Sequence, residues 1–203
     1  MTKAEKGKKH VKKVSKMMNP VATYKCAPDE CKASDGQLLQ LEFLWATHLS
    51  DEQTAWVFNL FERNMREMYN MSQDGYNSHQ KNQELFATTS RYILIKASEN
   101  QYVAYCHYRI DMDNGFPVVY CYELQVEPEF QQKGIGGIIL EILEKLSGRS
   151  GMDKVMATVF AFNSNSLAFF HKHGYVPDVT CPDAEADIDY LILSKATPPE
   201  SLV

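Results

Sequence analysis

Seven residues constrain this chain more than any others: Gln131-Gln132-Lys133-Gly134-Ile135-Gly136-Gly137. They follow an apolar, strand-like run (117–126) that Pro128 stops, and they open an amphipathic stretch over 134–147. Glycines at a strand-to-helix junction let backbone N–H groups approach a ligand closely, and a helix N-terminus favours negative charge. The segment therefore predicts an anion cradle, with a pyrophosphate as its natural guest. It lacks the Gly-Lys-Ser/Thr of a P-loop and the Gly-x-Gly-x-x-Gly register of a dinucleotide fold, so both nucleotide classes drop back.

The elements around the loop define the architecture. Residues 38–45 read as a strand, and Ser50-Asp51-Glu52-Gln53 is a capping box. It opens a helix with Val57, Leu60, Phe61, Met65, Met68 and Tyr69 on one face, ending near Gly75. A short polar helix over 78–86 follows. Strands are predicted over 91–97, 102–110 and 117–126, with hairpin chemistry at Glu99-Asn100 and Asn114-Gly115. A strand over 154–160, a helix from Ser164 to His173 capped by Gly174, and a strand over 189–195 complete the order. Antiparallel strands followed by β-α-β-α-β predict a single α/β (α+β) domain, its mixed, mostly antiparallel sheet flanked by helices.

Charge is unevenly spread. Residues 1–16 hold seven Lys and one Glu, while the whole chain has 21 Lys+Arg against 26 Asp+Glu. Residues 1–20 are thus read as a basic arm, flexible or docked through Val11, Val14 and Met18, and 21–203 as the domain. An acidic body repels nucleic acid and attracts cations. No apolar run approaches the length that spans a membrane, and the first residues lack a signal peptide's apolar core. Five cysteines at irregular spacing argue for reduced thiols in the cytosol or nucleus. No metal is expected, because His171 and His173 fall on different faces of a helix and Cys26 and Cys31 lack a second ligand pair. No Gly-x-Ser-x-Gly elbow supports a hydrolase.

The glycine loop resembles the Gln/Arg-x-x-Gly-x-Gly/Ala acetyl-CoA loop of the GNAT acetyltransferases, with Gln131, Gly134 and Gly136 on the pattern. Asn163, Ser166, Phe170, Gly174 and Tyr175 match that superfamily's Asn-containing helix. The resemblance covers roughly residues 38–195. It implies a GNAT fold and acetyl-CoA as cosubstrate. Leu124, Gln125 and Val126 would meet the pantetheine arm, Gln132, Lys133, Gly134, Ile135, Gly136 and Gly137 the pyrophosphate, and Asn163 the cofactor. A narrower resemblance, in Tyr120-Cys121-Tyr122-Glu123 with the segments around Tyr69, Asp111 and Thr158, is to the NatD-type N-alpha-acetyltransferases. Those enzymes acetylate the N-terminal amine of histones two-A and four. The resemblance implies Glu123 as general base with Tyr122 beside it. It places Tyr69, Asp111, Met112, Asp113, Tyr122, Thr158 and Tyr190 on the peptide. Basic histone tails, a nuclear and cytoplasmic location and a monomer go with it.

Two departures stand out. Phe170 occupies a position where many GNAT enzymes carry a Tyr able to protonate the leaving thiolate, which leaves that role to Tyr120, Tyr122 or solvent. Asp74-Gly75-Tyr76 stands where the NatD group has Trp-Gly-Trp.

The residues admit a physical reading of their own. An α-amine has a pKa of about 8, so a strand carboxylate beside the acyl donor can take its proton. Strand alternation sends Tyr122 and Glu123 to opposite faces unless a bulge or splay intervenes. Asp111 and Asp113 share a parity and suit a cationic side chain, although Asp beside a turn glycine is also ordinary turn chemistry. Acetylation of lysine side chains or a polyamine, and a catalytically silent CoA- or histone-binding module, remain the rival readings.

Overall fold

The computed structural model describes residues 3–183 and 185–199, so the outermost ends of the 1–20 and 21–203 spans lie outside the described residues. Eight strands form one sheet in the order β1-β2-β3-β4-β5-β6-β8-β7: Cys31–Lys32, Leu38–Trp45, Arg91–Ser98, Gln101–Asp113, Phe116–Val126, Lys154–Phe160, Tyr190–Ala196 (β8) and Val176–Pro177 (β7). Among the described residues only β5 and β6 run parallel. β1 and β7, two residues each, are too short for alternation to announce them.

The helices are α1 (Lys3–Val14), α2 (Pro20–Thr23), α3 (Asp51–Met71), α4 (Ser78–Leu85), α5 (Ile135–Ser150) and α6 (Ser164–Lys172). α3 starts where its capping box predicts: Ser50 accepts from the Gln53 amide and Gln53 accepts from the Ser50 amide. One face of the sheet packs Val119, Cys121 and Val155 against Ile139, Leu143 and Leu146 of α5, and against Val11 and Val14 of α1. On the other, Val57 and Leu60 of α3 cover Tyr92, Leu94 and Tyr105.

The basic segment is a helix packed on this domain. Its Val14 is fully buried, and Gly7 lies so close to Pro117 that a Cβ there would sit 3.3 Å from the proline ring. The chain beyond α1 is fastened by Arg91, whose guanidinium donates to the carbonyls of Ser15 (2.8 Å) and Met17 (2.6 Å) and lies 3.8 Å above the Trp45 ring. The lysines Lys6, Lys8, Lys9, Lys12 and Lys13 face solvent on the opposite side of the helix. This division follows from the spacing: valines three apart form the buried stripe and lysines fill the rest.

All five cysteines are reduced. No helix among the described residues is long and apolar enough to cross a membrane.

Candidate active site

The site begins with a failure of strand pairing. β5 and β6 are partners only from Val118–Lys154 to Cys121–Ala157, although β5 runs on to Val126 and β6 to Phe160. Beyond Cys121 the two strands part, and the backbone of Tyr122–Val126 on that side has no sheet partner. A cleft opens in the wedge, lined among others by Tyr69, Lys81, Tyr122, Glu123, Leu124 and Asn163.

A β-bulge lies at the same point. His107 pairs with Glu123 and Tyr108 with Cys121, so Tyr122 is left between two rungs of the β4–β5 ladder. The extra residue reverses the alternation. Val119 and Cys121 point to the α5 core before the bulge, and Leu124 and Val126 pack on it after. Tyr122 and Glu123 therefore share the α3–α4 face: Tyr122 stacks on His107 at 5.1 Å, and Glu123 reaches α4. The bulge resolves the conflict that regular alternation created.

Glu123 sits in a buried network. One carboxylate oxygen lies 2.5 Å from Lys81 Nζ and the other accepts from Gln125 Nε2 at 2.9 Å. The two charged side chains are 5% and 6% exposed. Lys81 also donates to the Tyr69 hydroxyl (2.9 Å) and to Glu84 (2.6 Å). Burial works against the lysine's charge, but Glu123, Tyr69 and Glu84 outweigh it and push its pKa up. Burial and the Glu123 charge push Tyr69 up to about 12, so its phenol stays protonated at neutral pH. His107, opposite Glu123, is pushed well down by burial and by the charges of Arg109 and Lys81, which keeps it neutral.

The glycine loop forms the other wall. Gly134 adopts φ +80° at the N-cap of α5 and Gln132 φ +59° before it. Ile138 is the first amide to bond back, to Gly134 O at 3.2 Å. Those of Ile135, Gly136 and Gly137 point out of the helix end without a helical partner. Gly136 and Gly137 are required by space: a Cβ would sit 2.8 Å from the Phe169 ring of α6 at the first and 2.8 Å from the ring of His173, the C-cap of α6, at the second. The set of free amides suits an anion such as the pyrophosphate of CoA. Ile135 is buried in the core and offers only its backbone, while Lys133 reaches Asp35 at 3.0 Å. Asn163, the N-cap of α6, accepts from the Ser166 amide through Oδ1 (3.1 Å), so its side-chain amide group remains available.

The remaining expected residues divide. Tyr69, Asp113, Thr158 and Tyr190 line the cleft. Asp111 lies outside that lining, on the same strand face, exposed and accepting from the Met112 amide. Met112 lies on the other face, where it packs with the core beneath α1, its methyl 3.6 Å from the position of a Cβ on Gly7. The parity that points Asp111 and Asp113 toward α4 turns Met112 away, so the structure does not bring it to the cleft. Thr158 shares a 2.5 Å hydrogen bond with Tyr120, whose phenol burial pushes up to about 12. Phe170, 6% exposed, sits at the back of the cleft. Lys81 and Glu84 had no sequence signal beyond a short polar helix. Asp74 also lines the cleft. Among the described residues no group of three or more His, Cys, Asp or Glu is placed to hold a metal.

A strand-separated cleft between an amide-lined loop and a buried carboxylate is the arrangement of an acyltransferase. The chain matches the model of the acetyltransferase (GNAT) family over residues 47–175, more than half its length, and belongs to that family. It is an acetyl-CoA-dependent acetyltransferase. Solved structures share the fold at low identity. The ribosomal-protein-S18-alanine N-acetyltransferase of Escherichia coli aligns at TM-score 0.55 and 12% identity, over 80% of this chain and 97% of that one. The PaiA N-acetyltransferase of Thermoplasma acidophilum, in complex with coenzyme A, gives 0.56 and 16% over 77% and 99%. A chain of the NatC complex bound to Gag peptide and CoA gives 0.56 and 16% over 80% and 99%.

Proposed function

We propose that this enzyme acetylates the N-terminal α-amine of a basic protein tail, with histones two-A and four (Ser-Gly-Arg-Gly start) as its substrates in the nucleus and cytoplasm. The observation that carries this reading is the bulge at Tyr122, which turns Glu123 and Tyr122 together into the cleft where β5 and β6 part. A neutral amine is the nucleophile, and an α-amine, with a pKa of about 8, needs only modest help to lose its proton. Glu123 takes that proton, directly or through one water. Acetyl-CoA supplies the activated acyl group; the C–N bond forms as the C–S bond breaks. Gln132–Gly137 hold its pyrophosphate, the edge of β5 at Leu124–Val126, which has no strand partner, its pantetheine, and the Asn163 side-chain amide a further polar group.

Phe170 cannot donate a proton, so the leaving thiolate takes one from Tyr122, Tyr120 or solvent. Burial raises both phenols, which keeps them protonated and able to give. Asp113 at the cleft, with Asp111 along the strand, offers carboxylates to the arginine or lysine that follows the acetylated residue. The test is incubation with labelled acetyl-CoA and intact core histones, followed by location of the label. Label on the N-terminal serine is expected, and a peptide blocked at its N-terminus should take none; label on internal lysines alone overturns the reading.

A further inference from the structure

Lys81 has no place in the reaction as described so far, yet it touches its centre. Its ammonium lies within hydrogen-bond distance of three groups that line the cleft: Glu123 at 2.5 Å, Glu84 at 2.6 Å and the Tyr69 hydroxyl at 2.9 Å. It also sits 4.8 Å over the Phe61 ring and 5.0 Å over the Tyr69 ring. We propose that Lys81 is a positioning residue for acetyl transfer, fixing the Glu123 carboxylate at the point where the acceptor amine must lose its proton. This inference rests on the assignment of Glu123 as the base.

A lysine that merely fastened α4 to the sheet would have little left to do. Arg109 already donates to the Glu84 carbonyl at 2.6 Å, Tyr92 to the Leu85 carbonyl at 2.9 Å, and the Leu85 side chain is fully buried. The i,i+3 neighbour Glu84 can neutralise the charge from a half-exposed position on the same helix. Lys81 nevertheless reaches across to β5 and takes the one carboxylate that the bulge turns inward. With Gln125 on the second oxygen, both ends of the Glu123 carboxylate are held, so its orientation is set before substrate arrives. A base held within a fraction of an ångström of its working position contributes through geometry, and small displacements of such a group are costly.

The test is a double-variant cycle on the full chain, assayed with a Ser-Gly-Arg-Gly-Lys peptide. Lys81→Met is expected to lower kcat about tenfold or more while the KM for acetyl-CoA stays within about twofold. In a Glu123→Gln background the same change should alter kcat by less than about twofold, because the lysine acts through a carboxylate that is no longer there. Losses that multiply in the double variant, or a Lys81→Met enzyme that turns over at the wild-type rate, overturn the positioning role. If Glu123→Gln alone leaves turnover intact, the base assignment itself has failed and the inference falls with it. Should Lys81→Met not fold, as judged by melting and CoA binding, Lys81→Arg enters the same cycle. It keeps the charge but moves the donors, and the same non-additivity is required of it.

Discussion

The wall assigned to the cofactor and the wall assigned to the acceptor are built from different material. Most polar groups on the first are main-chain groups from one contiguous stretch, the free amides at the start of α5 and the edge of β5 that has no strand partner, with the Asn163 side-chain amide beside them. Glycines make them accessible, at the cost of ruling out any Cβ at Gly136 and Gly137. The second is made of side chains from separate elements, Tyr69 on α3, Lys81 and Glu84 on α4, and Tyr122 and Glu123 on β5, drawn together by ion pairs. Backbone donors are the same whatever the sequence, so one loop can serve every acetyltransferase that uses the same cosubstrate. Side chains can be exchanged singly, and selectivity for the acceptor belongs there. The two walls should then fail independently when altered.

The largest effect is expected on the acceptor wall. Glu123→Gln removes the base without changing its shape, and kcat should fall about 10²-fold or more, within the range general base catalysis contributes. CoA affinity, measured by calorimetry, should stay within about twofold. The exchange also leaves Lys81 with Glu84 as its one remaining carboxylate, so the melting temperature should drop as well. A parallel loss of CoA affinity would break the separation of the walls.

The reverse experiment is Gly136→Val. The added carbons run into the Phe169 ring, 2.8 Å from where a Cβ would be, and force α5 and α6 apart at the free amides. CoA affinity should fall about tenfold, the roughly 1.4 kcal/mol of anion binding lost as the amides shift, while the melting temperature falls with the roughly 1–3 kcal/mol that overpacking costs. At saturating acetyl-CoA, kcat should change by less than about threefold, because Glu123 and its partners lie on the far side of β5. Loss of turnover at saturation would show that the loop also sets the chemistry.

The same contrast decides what could be read before the structure. The cofactor wall is local, so Gly134 and Gly136 stand in one short motif and Asn163 in a second, each with recognisable spacing, and their strand–helix context follows from alternation and a capping pattern. Six of the eight strands found among the described residues were legible for the same reason. Lys81 was not. It sits in Ser-His-Gln-Lys-Asn-Gln-Glu-Leu, a polar helix whose pattern looks like a solvated surface, and its carboxylate partner belongs to another element. The bulge was legible only as a requirement: alternation demanded one if Tyr122 and Glu123 were to share a pocket, and the ladder supplied it between His107 and Tyr108. Met112 shows the opposite case, where a family pattern named three neighbours and strand parity excludes the middle one.

The smallest effect tests how far charge reaches beyond the catalytic pair. Asp113 lines the cleft and keeps its carboxylate near the surface, bonded to the Asn114 side chain at 3.1 Å. An exposed carboxylate meeting an arginine or lysine contributes about 0.2–1 kcal/mol, so Asp113→Asn should raise the KM for a basic peptide by about fivefold at most. It should leave kcat and CoA affinity alone. The screening length falls from ~30 Å at 0.01 M salt to ~3 Å at 1 M. The wild-type KM should therefore climb with salt, and the variant's should climb less, the two converging at high ionic strength. Equal salt slopes would mean that Asp113 serves the Asn114 turn alone and that the acceptor wall ends at the buried network around Lys81. A steeper loss for Asp111→Asn than for Asp113→Asn would extend that wall along β4 beyond the cleft itself.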